Sequence, residues 1–144
     1  MEMTAKEFLE QYKEADKIAA RLRAEYEKEL ILIDTIKSVS DIDGMPHGNG
    51  IKKTVEDKAV RLADKAAAWK RAELDAIRIR QEVFDLVHDI PGVEGDILVA
   101  RYIELMKWAD VCKKVHLSWE PARQHHLKAL DIVSEKIKQA STSM

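Results

Sequence analysis

Four side chains with metal-binding or acid–base capacity fall in one short stretch: Cys112, His116, His125 and His126. Zinc would be the matching chemistry, and a zinc site needs three or four convergent ligands. Cys112 and His116 stand four apart, so a helix would put them on one face. Neighbouring residues on a helix point about 100° apart, so at most one of His125 and His126 could join them. The plainer assignment makes Cys112 a small buried filler, His125 a residue at the edge of the core and His126 exposed. No metal and no cofactor is expected. The same stretch offers a second chemistry. "SWEPARQHHLKAL" (118–130) carries Glu120, Arg123, Gln124 and Lys128, side chains able to meet base edges and phosphates by hydrogen bonds. The chain has no phosphate-cradling glycine loop, nucleophile motif or carboxylate constellation, so an enzyme is not expected.

Those side chains need a scaffold that lifts them from the surface. "KWADVCKKV" (107–115) reads as a short helix, "HLS" as a tight turn, and Ser118 as the cap of a longer helix over about 119–138. This is the outline of a helix-turn-helix, in which the first helix braces the second. The bracing positions Val111, Val115, Leu117, Ala122 and Leu130 are all apolar, while Trp119, Glu120, Arg123, Gln124 and Lys128 point outward. Upstream, Asp96 can cap a helix with Leu98, Tyr102 and Leu105 on one face. The final "QASTSM" is expected to fray.

"DIPGVEGD" (89–96) breaks the chain, because Pro91 cannot continue a helix and restricts Ile90. The expected domains are therefore a helical hairpin over 1–90 and a helix-turn-helix module over 91–144. In the hairpin, Thr4 and Glu7 have capping-box spacing at the start of a helix over roughly 4–38. Its apolar residues Phe8, Tyr12, Ala15, Ala19, Leu22, Tyr26, Ile33 and Ile36 form a heptad seam with Glu29 as the break. "SDIDGMPHGNG" (40–50) reads as a connector carrying His47. Thr54 then opens a second helix, with Ala59, Leu62, Ala66, Trp69, Ala76, Ile79, Val83, Leu86 and Ile90 as its apolar positions. Trp69 reads as a packing anchor. Two helices of similar length around one loop predict an antiparallel pair.

Composition agrees. Charged residues make up 35% of the chain, above the usual quarter, with only 5 glycines and 3 prolines, which predicts an all-α protein. The net charge of −2 does not advertise nucleic-acid binding. Between 107 and 128, however, Lys107, Lys113, Lys114, Arg123 and Lys128 stand against Asp110 and Glu120 alone. The single cysteine excludes an internal disulfide and fits a reducing cytosol. No apolar run approaches the roughly 20 residues of a membrane span, and the charged N-terminus lacks the apolar core of a signal peptide.

"SWEPARQHHLKAL" resembles the recognition helix of region 4 of bacterial housekeeping sigma factors, the part that reads the −35 promoter element. Ser118, Glu120, Arg123, Gln124, Lys128, Ala129 and Leu130 match in order and spacing. "RYIELMKWADVCKKVHLS" resembles the lead-in and bracing helix of the same domains. The whole chain is similar to small phage-encoded regulators of the ArpU and RinA type. The resemblance implies a regulator of phage late or packaging genes that binds double-stranded DNA in the bacterial cytoplasm. It implies host RNA polymerase as a further partner. Ser118 would cap the reading helix and offer its amide to phosphate. Glu120 would accept from cytosine, Arg123 would donate to guanine or phosphate, and Gln124 would pair with a base edge. Lys128, Lys113 and Lys114 would hold the backbone. The family usually has arginine where this chain has Trp119 and Pro121, so a target other than the standard −35 sequence and a modest salt dependence are expected. Trp119 would meet a sugar, a thymine methyl or a protein instead. The heptad seam and paired DNA half-sites both suit a homodimer. Two other readings stay open: a protein-interaction adaptor, and a structural oligomer built on the hairpins.

Overall fold

Thr4 starts the first helix as its spacing predicts, its hydroxyl accepting the amide of Glu7 at 3.2 Å. The computed structural model describes residues 3–43 and 49–142, with side chains described over 3–36 and 56–142. The elements are α1 (Ala5–Asp43), α2 (Asn49–Val87), α3 (Gly92–Leu98), α4 (Trp108–Val115) and α5 (Trp119–Thr142). A π-helical turn, Val99–Ile103, continues α3. Among the described residues every regular element is a helix, and the fold is all-α. None of these helices is long and apolar enough to cross a membrane.

Several boundaries differ from the sequence reading. α2 begins at Asn49, so the connector is shorter than expected. The Thr54 cap and His47 lie outside the described side chains. α5 runs on to Thr142, whose hydroxyl donates to the Lys138 carbonyl at 3.0 Å, in place of the expected frayed end. α3 starts at Gly92 behind an extended Pro91, so Asp96 lies inside the helix rather than capping it. Proline suits that position because the first amides of a helix have no internal partner. Leu105 does not share a helical face with Leu98 and Tyr102, because it sits in a turn at φ 57°.

The chain divides into two compact units: a terminal unit, Met1–Ala15 with Ala76–Met144, and a middle unit, Asp16–Asp75. This is not the expected division at Pro91. Pro91 ends a helix but does not separate cores, since Ile90 beside it is buried.

In the terminal unit one core gathers Ala5 and Leu9 of α1, Val83 and Val87 of α2, Leu98, Tyr102 and Ile103, and Ala129 and Val133 of α5. A smaller cluster, Ile97, Ala100 and Val111, sits under α4 with Trp108 and Val115 against it. Gly95 is required where α3 meets the preceding turn, because an added Cβ would lie 1.8 Å from the Ile90 carbonyl oxygen. Lys136 of α5 ties the end of α2 by donating to the Leu86 carbonyl at 2.7 Å and pairing with Asp89. That contact satisfies a terminal carbonyl, and a cation suits the negative end of the helix dipole.

In the middle unit α1 and α2 meet along a single antiparallel seam. Tyr26 stacks on Trp69 with ring centres 5.4 Å apart, and the Arg23 guanidinium lies 5.6 Å from the same indole. Trp69 is the packing anchor its position suggested. Glu29 is buried, and Lys65 of α2 lies 3.6 Å from one of its oxygens. Among the described residues its other oxygen, Oε1, has no hydrogen-bond partner.

Candidate nucleic-acid interface

The turn between α4 and α5 is built by backbone bonds. His116 ends α4 in the left-handed region, at φ 57° and ψ 40°. The Leu117 amide donates back to the Cys112 carbonyl at 3.0 Å, and the His116 amide donates to Lys113 at 3.3 Å. This pair of bonds is a Schellman motif. It redirects the chain within two residues and delivers Ser118 to the start of α5. The first turn of α5 then closes through the backbone, the Ala122 amide donating to the Ser118 carbonyl at 3.1 Å. Pro121 occupies the third helical position and offers no amide to the Ser118 hydroxyl there.

α5 is seated by a stripe of buried residues, Ala122, His126, Ala129 and Val133. The sequence reading put His125 toward the core and His126 outside, and the structure reverses them. The side chain of His125 is 39% exposed, and its Nδ1 lies 3.1 Å from Glu94. His126 is 8% exposed. The physical reason is helical phase: position 126 falls between the buried 122 and 129, while 125 is one step round the helix. The Nε2 of His126 lies 2.7 Å from the Tyr102 hydroxyl, and the edge of Trp108 packs against the imidazole at 4.7 Å. Burial pushes the His126 pKa down to about 4, with Lys6 and Arg101 adding to the effect. Burial, with Glu10 nearby, pushes the Tyr102 hydroxyl up to about 12. At neutral pH both groups are therefore uncharged, and they share a buried hydrogen bond beneath the first turns of α5.

Of the predicted reading residues, Glu120, Gln124 and Lys128 face away from that seat and Arg123 flanks it, while Trp119 lies on its edge, seven residues before His126. Trp119, Glu120 and Gln124 are exposed and Arg123 is half-exposed. The structure draws three of them into one cluster. Glu120 accepts from Arg123 Nη2 at 2.7 Å and from Gln124 at 3.2 Å. Arg123 foremost, then Gln124, hold the Glu120 carboxyl below its ordinary range, and Glu120 in turn raises Arg123. The indole of Trp119 is braced edge-on by Trp108 at 5.4 Å, and Trp108 carries the Arg101 guanidinium 5.0 Å from its ring centre. Ser118 and Lys113 are exposed.

The other two lysines are drawn elsewhere. Lys114 pairs with Glu104 at 3.0 Å, and Lys128 approaches Glu94 at 3.7 Å. Glu94 is held below its ordinary range, first by His125. The positive excess counted over 107–128 is thus reduced by two acids from outside that window. Glu94 and Glu104 were missed because their proximity is made by the fold. His126 was legible: the period of Ala122, Ala129 and Val133 includes it. Among the described residues no group of three histidine, cysteine or acidic side chains could hold a metal ion. No family model, curated protein or solved structure matches this chain.

Proposed function

We propose that this protein is a sequence-specific DNA-binding transcriptional regulator of the phage late-gene or packaging-gene type, acting as a homodimer in the bacterial host. The observation that carries the reading is the tip of α5. Glu120, Arg123 and Gln124 form one exposed, mutually bonded cluster at the N-terminal end of a helix whose opposite side is anchored in the core. A helix of this kind fits the major groove with its first turns at the base edges. Arg123 and Gln124 would read bases, with Glu120 orienting them or accepting from cytosine. Ser118 and Trp119 would lie near the sugar-phosphate chain, and Lys113, Lys114 and Lys128 would hold phosphates. The resemblance of this segment to sigma region 4 points the same way and brings host RNA polymerase in as a partner.

A specific observation favours a second reading. Arg123, Lys114 and Lys128 each face an acid, and Trp119 is half-exposed. A surface of balanced charge around an exposed indole suits a protein partner better than polyanionic DNA. On this reading the module is an adaptor that contacts RNA polymerase or another regulator. A gel-shift titration against phage intergenic DNA separates the two. The DNA reading expects a sequence-preferring shift that loses its preference in Arg123→Ala and in Gln124→Ala. Polymerase capture with no shift supports the adaptor.

A further inference from the structure

α2 carries a second apolar seam, on the side away from its packed one. The packed positions are Leu62, Lys65 and Trp69 in the middle unit, and Ala76, Ile79 and Val83 in the terminal unit. Along this side the heptad positions hold six apolar residues, Val60, Ala63, Ala67, Leu74, Ile77 and Phe84, and three polar ones, Lys70, Gln81 and His88. Every one of these residues is exposed, with Val60 at 63%, Leu74 at 67% and Ile77 at 59%. A surface helix needs only one apolar face to hold it to its own core. Apolar residues at six of nine heptad positions on the other face have the period of a left-handed supercoil with another helix.

We infer that this face of α2 is where a second copy of the chain docks, as a parallel, in-register coiled coil. The inference rests on the homodimer proposed above and adds its surface and orientation. The flanking charges select the partner. In a parallel pair of identical helices, each flanking residue on one side of the seam meets the residue five positions later in the other copy. Glu73 then opposes Arg78 of the second copy, and Arg80 opposes Asp85, each pair occurring twice by symmetry. The remaining flanking pairs set Ala59 against Asp64 and Ala66 against Arg71, which adds no repulsion. An antiparallel pairing centred on Leu74 and Ile77 would keep one favourable pair, Glu73 with Arg80, but would oppose Arg71 to Arg78 and Asp64 to Asp85. Within one chain Arg78 pairs with Glu82 at 3.0 Å. Both side chains of that pair are largely solvated, so releasing Arg78 costs little. Lys70 and Gln81 on the seam weaken it and fix its register, as polar residues at core positions of coiled coils do.

The test uses the full chain. Sedimentation equilibrium should give a dimer for the native protein and a monomer for Leu74→Lys/Ile77→Lys, with helicity unchanged because both side chains start exposed. In a Cys112→Ser background, Gln81→Cys should cross-link to itself on mild oxidation, since a parallel in-register pair brings identical seam positions together, whereas the antiparallel pairing centred on Leu74 and Ile77 sets position 81 against Lys70. A native monomer at the highest soluble concentration overturns both the homodimer and this surface. A dimer that survives both lysines, or that gives no Gln81→Cys cross-link, overturns this surface and orientation while leaving the homodimer standing.

Discussion

The terminal and middle units use the same two long helices in different ways. In the terminal unit α1 and α2 are joined by α3 and α5, and Leu9, Val83, Val87, Leu98 and Val133 are fully or almost fully removed from solvent. In the middle unit the two helices have only each other. Ala19 and Ile33 are its buried apolar residues among those described, one buried seam position is the charged Glu29, and Ile18, Ile31, Val60 and Leu74 remain half or more exposed. Helices gain most of their stability from packed faces rather than from propensity. The unit carrying the candidate reading head is thus the more fully packed one, while the exposed apolar side of α2 runs from the middle unit into the start of the terminal one.

That contrast can be broken or sharpened by substitution. The largest effect is expected at Gly95. An alanine there must displace the Ile90 backbone, so Gly95→Ala should cost about 3 kcal/mol or more in a denaturant titration. If the terminal unit absorbed it without loss, it would not be the tightly packed one. The next effect is set by pH. His126 is held neutral in the fold, and its pKa of about 4 lies below the ordinary value of 6.5. Between those values the unfolded chain binds more protons, so stability rises with pH. The contribution is fully present above about pH 6.5 and is lost as pH falls toward 4. His126→Gln, which does not titrate, should flatten that part of the stability curve.

The middle unit should respond in the opposite sense. Glu29 is buried with one oxygen unpartnered, and Lys65 only partly compensates it. An apolar side chain of similar length recovers the seam, so Glu29→Met should stabilise by about 1 kcal/mol, measured by thermal or denaturant unfolding. A loss of similar size would mean that the pair holds the register of α1 on α2. The smallest effect is expected at His116. Glycine relieves the left-handed strain in the turn ahead of α5 but loses more entropy on folding, so His116→Gly should gain at most about 1 kcal/mol.

What was legible in the sequence follows from how local the information is. The long helices could be read from a heptad run interrupted only at Glu29 in α1 and from the scarcity of breakers. The turn before α5 could be read from Ser118 and the apolar bracing positions. Leu9 was missed because the heptad count gave its place to Phe8. α1 is packed from more than one side at that point, so both residues contribute. The start of α3 was misplaced because Asp96 is a good cap by type, while Pro91 takes the position by geometry. The π-helical turn, closed by the Glu104 amide donating to Val99 at 2.9 Å, has no signature in residue type. In the candidate site the exposure of Glu120, Gln124 and Lys128 followed from helical phase, whereas Trp119 shares the phase of buried His126 and is exposed because it stands at the first position of α5. The acids that meet Lys114 and Lys128 come from 10 and 34 residues away, and no window around α5 contains them both.

The central claim is that the tip of α5 reads a DNA sequence. Selection of bound duplexes from a randomised pool by the full-length protein tests it most directly. The native chain should enrich a defined motif, and the Arg123→Ala/Gln124→Ala variant, its fold intact, should lose it. Recovery of a random pool by the native protein, or the same motif recovered by both proteins, would contradict it.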